Sequence, residues 1–282
     1  MAKKIFVKIM GGLGNQMFQY AFGLSLEKRC KAKVYYDKSF FDIKGSRNYE
    51  LNNFKLKLKT TNNWLLKFNE CIKPRQKKII KETEDSIYNE KFYNLKNYNF
   101  YNGYFQTYKY FDDYRKNILE SFELKTPLND KNLEILEKIK SSDSVSLHVR
   151  RTDYLEKDEL AIRGICDIDY YKRAVDFFEK KLTNPHFFIF SDDIPWCLDN
   201  LNFQSKYTFV DINDASSGYF DMFLMKNCKH NIIANSSFSW WGAWLNEHNN
   251  KIVIAPKIWM IRWNETEENA GRDLIPSDWI RI

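Results

Sequence analysis

Short apolar strands that run into polar turns and then into helices recur along this chain, and that alternation restricts the fold more than any other feature. The second half shows it best. Val145, Leu147 and Val149 alternate with Ser146, His148 and Arg150, the two-residue period of a pleated strand. Asp169 to Lys181 then reads as a helix, with Asp167-Ile-Asp169 at its start. His186–Phe190, Thr208–Asp211, Asn231–Asn235 and Lys251–Ala255 read as strands, separated by helices over 194–201, 219–228 and 240–247. Pro195 falls in a first helical turn, where proline is tolerated. Strand–helix alternation of this kind indicates an α/β fold with a doubly wound parallel sheet.

The first half opens the same way. A strand over 5–9 meets the glycine turn Gly11-Gly-Leu-Gly-Asn-Gln16, a helix over 15–30 and a second strand over 33–37. No Gly-Lys-Ser/Thr follows the turn, and Met17 stands where a dinucleotide fingerprint needs its third glycine. Such a turn still lets a ligand approach the backbone, and it serves equally as a tight turn needing positive φ. Residues 40–125 are crowded with Tyr, Phe, Asn and Lys, with helix-like pieces near 62–85 and 108–122. Residues 130–140 read as a helix capped by Asp130, with Leu133, Leu136 and Ile139 on its apolar stripe. We place the division between two Rossmann-like units at 142/143, within a region of choice that runs from Pro127 to Ser141-Ser-Asp143.

Charge supports two units. Residues 1–142 carry 28 Lys/Arg against 16 Asp/Glu, and residues 143–282 carry 16 against 21. Between Lys55 and Lys81 there are nine basic residues and one acidic, Glu70. That stretch is compatible with a solvated face, a nucleic-acid groove or an anionic membrane surface. An odd cysteine count, five, without Cys-x-x-Cys pairs excludes a disulfide framework or zinc ribbon and predicts a reducing, cytoplasmic setting. No run of about twenty apolar residues predicts a membrane span.

In open α/β sheets ligands sit at the carboxyl ends of strands. Four strand ends here carry polar groups: the glycine turn, Arg150/Arg151/Asp153, Asp192/Asp193 and Ser236/Ser237. Two guanidiniums suit a polyanion, since the planar fork binds phosphate bidentately, although Arg151 with Asp153 also reads as a solvated ion pair. Ser236 and Ser237 could hold phosphate or simply cap a helix. Of Asp192 and Asp193, one is expected to cap and the other to serve a ligand, directly or indirectly. Capping is preferred over metal binding for Asp167-Ile-Asp169. His186, His230 and Cys228 read as structural, and Trp240, Trp241 and Trp244 as core.

Three stretches, Gly11-Gly-Leu-Gly-Asn-Gln-Met-Phe-Gln-Tyr20, His148-Val-Arg-Arg-Thr-Asp153 and Asn235-Ser-Ser-Phe-Ser-Trp-Trp-Gly-Ala-Trp244, resemble the α-1,2-fucosyltransferases of glycosyltransferase family 11. The tail from Pro256 through Trp259 and Asp273 to Trp279 is similar as well. The resemblance implies a GT-B architecture, two Rossmann-like lobes with a cleft between them, the last residues packing back on the first lobe. It implies GDP-fucose as donor and a galactose-containing glycan, lipid-linked or not, as acceptor at its 2-hydroxyl. By that resemblance Arg150 binds the β-phosphate, and His148 and Asp221 lie near guanine or ribose, with Asp211 and Asp214 close in sequence. Asp192, Ser236 and Ser237 complete the donor side. Gly12, Gly14 and Asn15 reach the diphosphate and fucose from the other lobe.

Fixed guanidiniums can stabilise the departing diphosphate where water is excluded, so no metal or other cofactor is expected. The acceptor attacks with inversion, and a carboxylate takes its proton late. Asp153, Glu156, Asp158 and Glu159 are the candidates for that base, Asp153 being equally suited to orienting the arginines. No nucleic-acid partner is expected, and residues 55–81 are compatible with peripheral contact to an acidic membrane surface. The alternatives are a transferase for another GDP-sugar and a non-catalytic binder of carbohydrate or nucleic acid.

Overall fold

The computed structural model describes residues 2–60, 78–83, 85–263 and 272–282, which form two compact units, Met1–Thr126 with Arg272–Leu274 and Pro127–Gly271 with Ile275–Ile282. Trp64, Lys67, Phe68 and most of the basic stretch lie outside the described residues.

The first unit begins with strand β1 (Lys4–Lys8), the glycine turn, helix α1 (Leu13–Cys30) and strand β2 (Lys33–Asp37). Strands β3 (Lys78–Lys81) and β4 (Asn99–Asn102) complete a four-stranded sheet in the order β2-β1-β4-β3, every pair parallel. A helix-like reading of 62–85 therefore fails at 78–81, where pairing with β4 overrides local propensity. Helix α1 is covered on nearly all sides down to Leu26, as its Met, Phe, Tyr and Leu content requires. It ends at Lys31, which takes the left-handed conformation, after Lys28 and Arg29 have placed positive charge on the negative end of the helix. Phe22 stacks on Phe105 at 4.1 Å and meets Tyr101 and Tyr110 edge-on at 5.3 and 5.0 Å. Emptying such a position, Phe22→Ala, costs about 3–5 kcal/mol. Two short 3-10 turns and helix α2 (Arg115–Ser121) fill the predicted helical piece near 108–122.

The second unit opens with α3 (Asp130–Lys140), which therefore lies beyond the division rather than before it. Its buried residues, Asn132, Ile135, Leu136 and Ile139, belong to this unit's interior. Asn129, not Asp130, is the cap, accepting from the Asn132 N–H, and Leu133 is exposed. There follow β5 (Asp143–Val149), α4 (Lys157–Arg163), α5 (Ile168–Lys181), β6 (Pro185–Ser191), α6 (Ile194–Asn200), β7 (Lys206–Phe209), α7 (Gly218–Asn227), β8 (His230–Ile232), α8 (Ser237–Trp244), β9 (Val253–Ala255) and β10 (Ile280–Arg281). The six strands run parallel in the order β10-β9-β8-β5-β6-β7. The chain proceeds from β5 in one direction to β7 and then resumes on the other side of β5 at β8. A crevice opens at such a reversal, at the carboxyl ends of the two strands.

Val145, Leu147 and Val149 pack with Tyr171, Phe178, Phe187 and Ile189 on one face. The alternate residues Ser144, Ser146 and His148 are buried too, because parallel sheets are covered on both faces. Ser146 accepts from the buried Asn231 amide at 2.7 Å. Trp240, Trp241 and Trp244 are core, as expected. Asp167 caps α5 through the Tyr170 N–H, His186 meets the Thr208 hydroxyl, His230 accepts from the Ile252 N–H, and Cys228 is buried. Among the described residues no helix is long and apolar enough to cross a membrane, and no group of three His, Cys, Asp or Glu could hold a metal.

Candidate functional site

The reversal between β5 and β8 in the second unit gathers most of the polar residues singled out by sequence. Arg150 leaves the end of β5 and pairs with Asp153 at 2.6 Å and with Asp192, from the end of β6, at 3.2 Å. Asp192 also accepts from the Arg151 N–H at 2.9 Å, the Thr152 N–H at 3.1 Å and the Thr152 hydroxyl. Burial opposes ionisation of Asp192, but Arg150, these donors and His148 hold its carboxyl below the usual range. Both of its oxygens thus already serve the arginine loop. Asp193 caps α6 through the Trp196 N–H.

Arg151 does not pair with Asp153. It reaches Asp193 at 3.2 Å and lies over the Trp196 ring at 4.0 Å. Stacking and a carboxylate suit a planar guanidinium, so the protein itself satisfies this side chain. Of the adjacent arginines, Arg150 is the one at the crevice. Tyr154 has Arg150 near its ring at 5.5 Å and Arg163 at 5.2 Å, which brings a further guanidinium beside the same ring. Nothing in the local pattern of α4 marks Arg163, since a turn and a helix separate it from β5.

His148 is 5 % exposed and tilts against Phe238 with ring centres 5.6 Å apart. Burial first, and Arg150 second, lower its pKa to about 3 against the opposing pull of Asp192. The ring is therefore neutral at physiological pH, one nitrogen donating and the other accepting. Its Nδ1 is buried without a hydrogen-bond partner among the described residues. A buried polar atom left so costs stability.

Ser236 stands at the start of α8, buried, its Oγ accepting from the Phe238 N–H at 3.4 Å; Ser237 follows, half-buried. Asn235 ties this turn to the end of α4, its amide donating to the Arg163 and Gly164 carbonyls at 3.2 and 3.1 Å. Asp221 lies in the first turn of α7 and accepts from Asn213 at 2.7 Å. Burial, with Asp211 adding to it against Asn213, pushes the Asp221 carboxyl up to about 7. Of the proposed bases, Glu159 is bonded to Arg163, while Glu156 and Asp158 are exposed.

The first unit has its own reversal, between β1 and β4, where the glycine turn and the loop 103–106 meet. Gln106 donates to Asn15 Oδ1 at 2.6 Å across it. Gly11, at φ +78, needs to be glycine, and an added Cβ would come within 2.7 Å of the Asn15 amide. Gly12 is the N-cap of α1 and Gly14 is buried in the first turn. Glu82, at the end of β3, accepts from the Tyr104 and Phe105 N–H groups at 2.7 and 2.9 Å and holds Phe105 in a left-handed conformation, φ +52. Sequence reading found neither Glu82 nor Gln106, because no local period marks them.

The chain is 36 % identical to the alpha-1,2-colitosyltransferase of Escherichia coli, covering 99 % of this chain and 98 % of that one. It is 31 % identical to the Escherichia coli O-antigen biosynthesis glycosyltransferase WbnK, over 97 % and 99 % of the two chains. In fold it is similar to the crystal structure of fucosyltransferase NodZ from Bradyrhizobium, with a TM-score of 0.52 at 12 % identity over 86 % of this chain and 93 % of that one. The model of Glycosyl transferase family 11 matches residues 2–282. With a parallel α/β sheet carrying an arginine at its point of reversal and this match along almost its whole length, the chain belongs to glycosyl transferase family 11.

Proposed function

We propose that the protein transfers L-fucose from GDP-fucose to the 2-hydroxyl of a terminal galactose in a glycan acceptor, with inversion and without a metal ion. The observation that carries this reading is Arg150, gripped by Asp153 and Asp192 at the sheet reversal beside the neutral His148, whose Nδ1 has no hydrogen-bond partner among the described residues. The reading keeps the expectation of a GT-B arrangement. Leaving-group departure places negative charge on the β-phosphate, and a guanidinium fixed beforehand stabilises it without reorganising. The two carboxylates supply that fixing. His148 Nδ1 is suited to a hydrogen-bonding group of the nucleotide, and Asp221 to its base or ribose. Ser236, already a cap, keeps an N–H-rich helix start beside them.

A second donor deserves equal trial, because the relative at 36 % identity is named for colitose. Colitose differs from fucose in lacking the 3-hydroxyl. A site that hydrogen-bonds a hydroxyl rejects the analogue lacking it by about ten-thousand-fold, whereas one that does not discriminates weakly. The test incubates the protein with GDP-fucose or GDP-colitose and a panel of β-galactosides, with and without EDTA, and determines the linkage by NMR. Expected is α-linked fucose on the galactose 2-oxygen at a rate unchanged by chelator. Preference for GDP-colitose would reassign the donor, arrest by EDTA would remove the metal-free mechanism, and transfer from neither donor would defeat the reading.

A further inference from the structure

The attacking hydroxyl must lose a proton, and the carboxylates offered by sequence are poorly placed to take it. Asp153 is held by Arg150, Glu159 is held by Arg163, and Glu156 and Asp158 face water. The first unit contains a carboxylate in a different situation. Gln16 is fully buried at the glycine turn. Its amide donates to the Gly11 carbonyl at 2.9 Å and the Asn48 carbonyl at 2.8 Å, and it accepts from the Glu50 N–H at 3.0 Å. One saturated side chain thus fastens Glu50 to the turn. The Glu50 carboxyl lies close enough to the Leu13 N–H, at the start of α1, for that group to pull its pKa down.

Gly12 stands next to that N–H. Its backbone, φ −76 and ψ 173, is one that any residue adopts, and an added Cβ would meet nothing within 4 Å. Neither conformation nor packing asks for glycine there, in contrast to Gly11. The missing side chain leaves open space beside the Glu50–Leu13 contact, which is what close approach of a ligand needs.

We propose that Glu50 is the general base of the transfer reaction, taking the proton from the acceptor hydroxyl at the glycine turn. This rests on the transferase reading above. In the step, the acceptor O–H bond breaks and its proton passes to a Glu50 oxygen. The freed pair forms the bond to the sugar's anomeric carbon. The bond from that carbon to the β-phosphate oxygen breaks, and its electrons leave with GDP. Glu50 then returns the proton to water. Burial pushes the Glu50 carboxyl up to about 7, with the Leu13 N–H and Arg47, the charged group set against it, pulling the other way. A base so tuned still ionises near neutral pH and holds a proton better than a solvated carboxylate. A carboxylate on the positive end of α1 also leaves that end less attractive to a second anion, which favours a neutral sugar at the turn.

The test measures kcat and KM across neutral pH for the wild type and Glu50→Gln, using the GDP-sugar preferred in the donor panel and a galactoside acceptor. Thermal stability and GDP binding are measured alongside. The amide keeps an oxygen for the Leu13 N–H. Expected are unchanged GDP affinity, a fall in kcat of about a hundred-fold or more, and loss of the acid limb that the wild type shows near pH 7. Turnover within about three-fold of wild type, or an acid limb that persists in the variant, would overturn the proposal. Should the amide variant lose its fold, Glu50→Ala with added formate decides: restored turnover supports the base and its absence refutes it. A wild type that transfers no sugar fails the transferase reading, whereas an active wild type with an equally active variant fails Glu50 alone.

Discussion

The two parallel sheets end in opposite chemistry. At the carboxyl edge of the six-stranded sheet stand Arg150, Arg151 and Arg163 with carboxylates arranged to hold them. At the corresponding edge of the four-stranded sheet stand side-chain amides, Asn15, Gln16 and Gln106, and two partly covered carboxyls, Glu50 and Glu82. Both edges are strand reversals, so topology alone would make them alike. The guanidinium edge suits fixed negative charge, because its cations are permanent and Asp192 and Asp193 are oriented by backbone N–H groups. The amide edge suits hydroxyls, since amides donate and accept without charge and a carboxyl near its pKa can exchange a proton. Two parallel sheets thus end in edges of different polarity.

The largest effect expected from breaking this contrast is at Arg150. Arg150→Lys keeps the charge but loses the fork that spans Asp153 and Asp192, and kcat should fall about a thousand-fold in a transfer assay. Activity near wild type would show that bulk positive charge is enough. Next comes the pH dependence of stability. Burial, with Asp85 adding to it, pushes Glu82 up to about 7 against the backbone N–H groups of Phe105, Tyr104 and Ser86, and Glu50 and Asp221 reach the same range. Folded pKa values raised above the unfolded ones mean that the folded state binds more protons between the two. The stabilisation is therefore complete below the unfolded carboxyl range, about pH 4, and disappears as pH rises through about 7. Urea titrations should show stability falling over that interval, and Glu82→Gln should remove a part on the order of 2 kcal/mol. An unchanged slope in that variant would deny the buried carboxyl its protonation. The smallest effects come from the neighbouring glycines. Gly11→Ala should cost about 2 kcal/mol of stability, measured as a lowered Tm, because of its positive φ. Gly12→Ala should leave Tm unchanged yet slow transfer about ten-fold by filling the open space. Equal behaviour of the two would erase the distinction between a turn glycine and a ligand glycine.

The second unit was far more legible in sequence than the first. Its strands carry continuous apolar periods, and each is followed by a polar turn, so Arg150 and Asp192 could be picked from local pattern, whereas His148 came only from the family resemblance. Even there the partnering was not legible. Arg151 turned from Asp153 to Asp193 and Trp196 because β6 lies beside β5, a neighbour some forty residues distant. Ser146 and His148 alternated as if toward solvent yet are buried, since helices cover both faces of a parallel sheet. In the first unit, residues 40–125 gave little period, and Glu50, Glu82 and Gln106 all fall within them.

Sequence by itself determined the alternation of strand and helix, the glycine turn, and the presence of arginine at the end of a central strand, because each is encoded in adjacent residues through backbone sterics and periodicity. Only the tertiary structure decided which arginine faces the crevice and which carboxyls lose their water. Both depend on strand order and burial, which bring residues far apart in the chain within a few ångströms and remove the solvent that would otherwise make one Glu much like another.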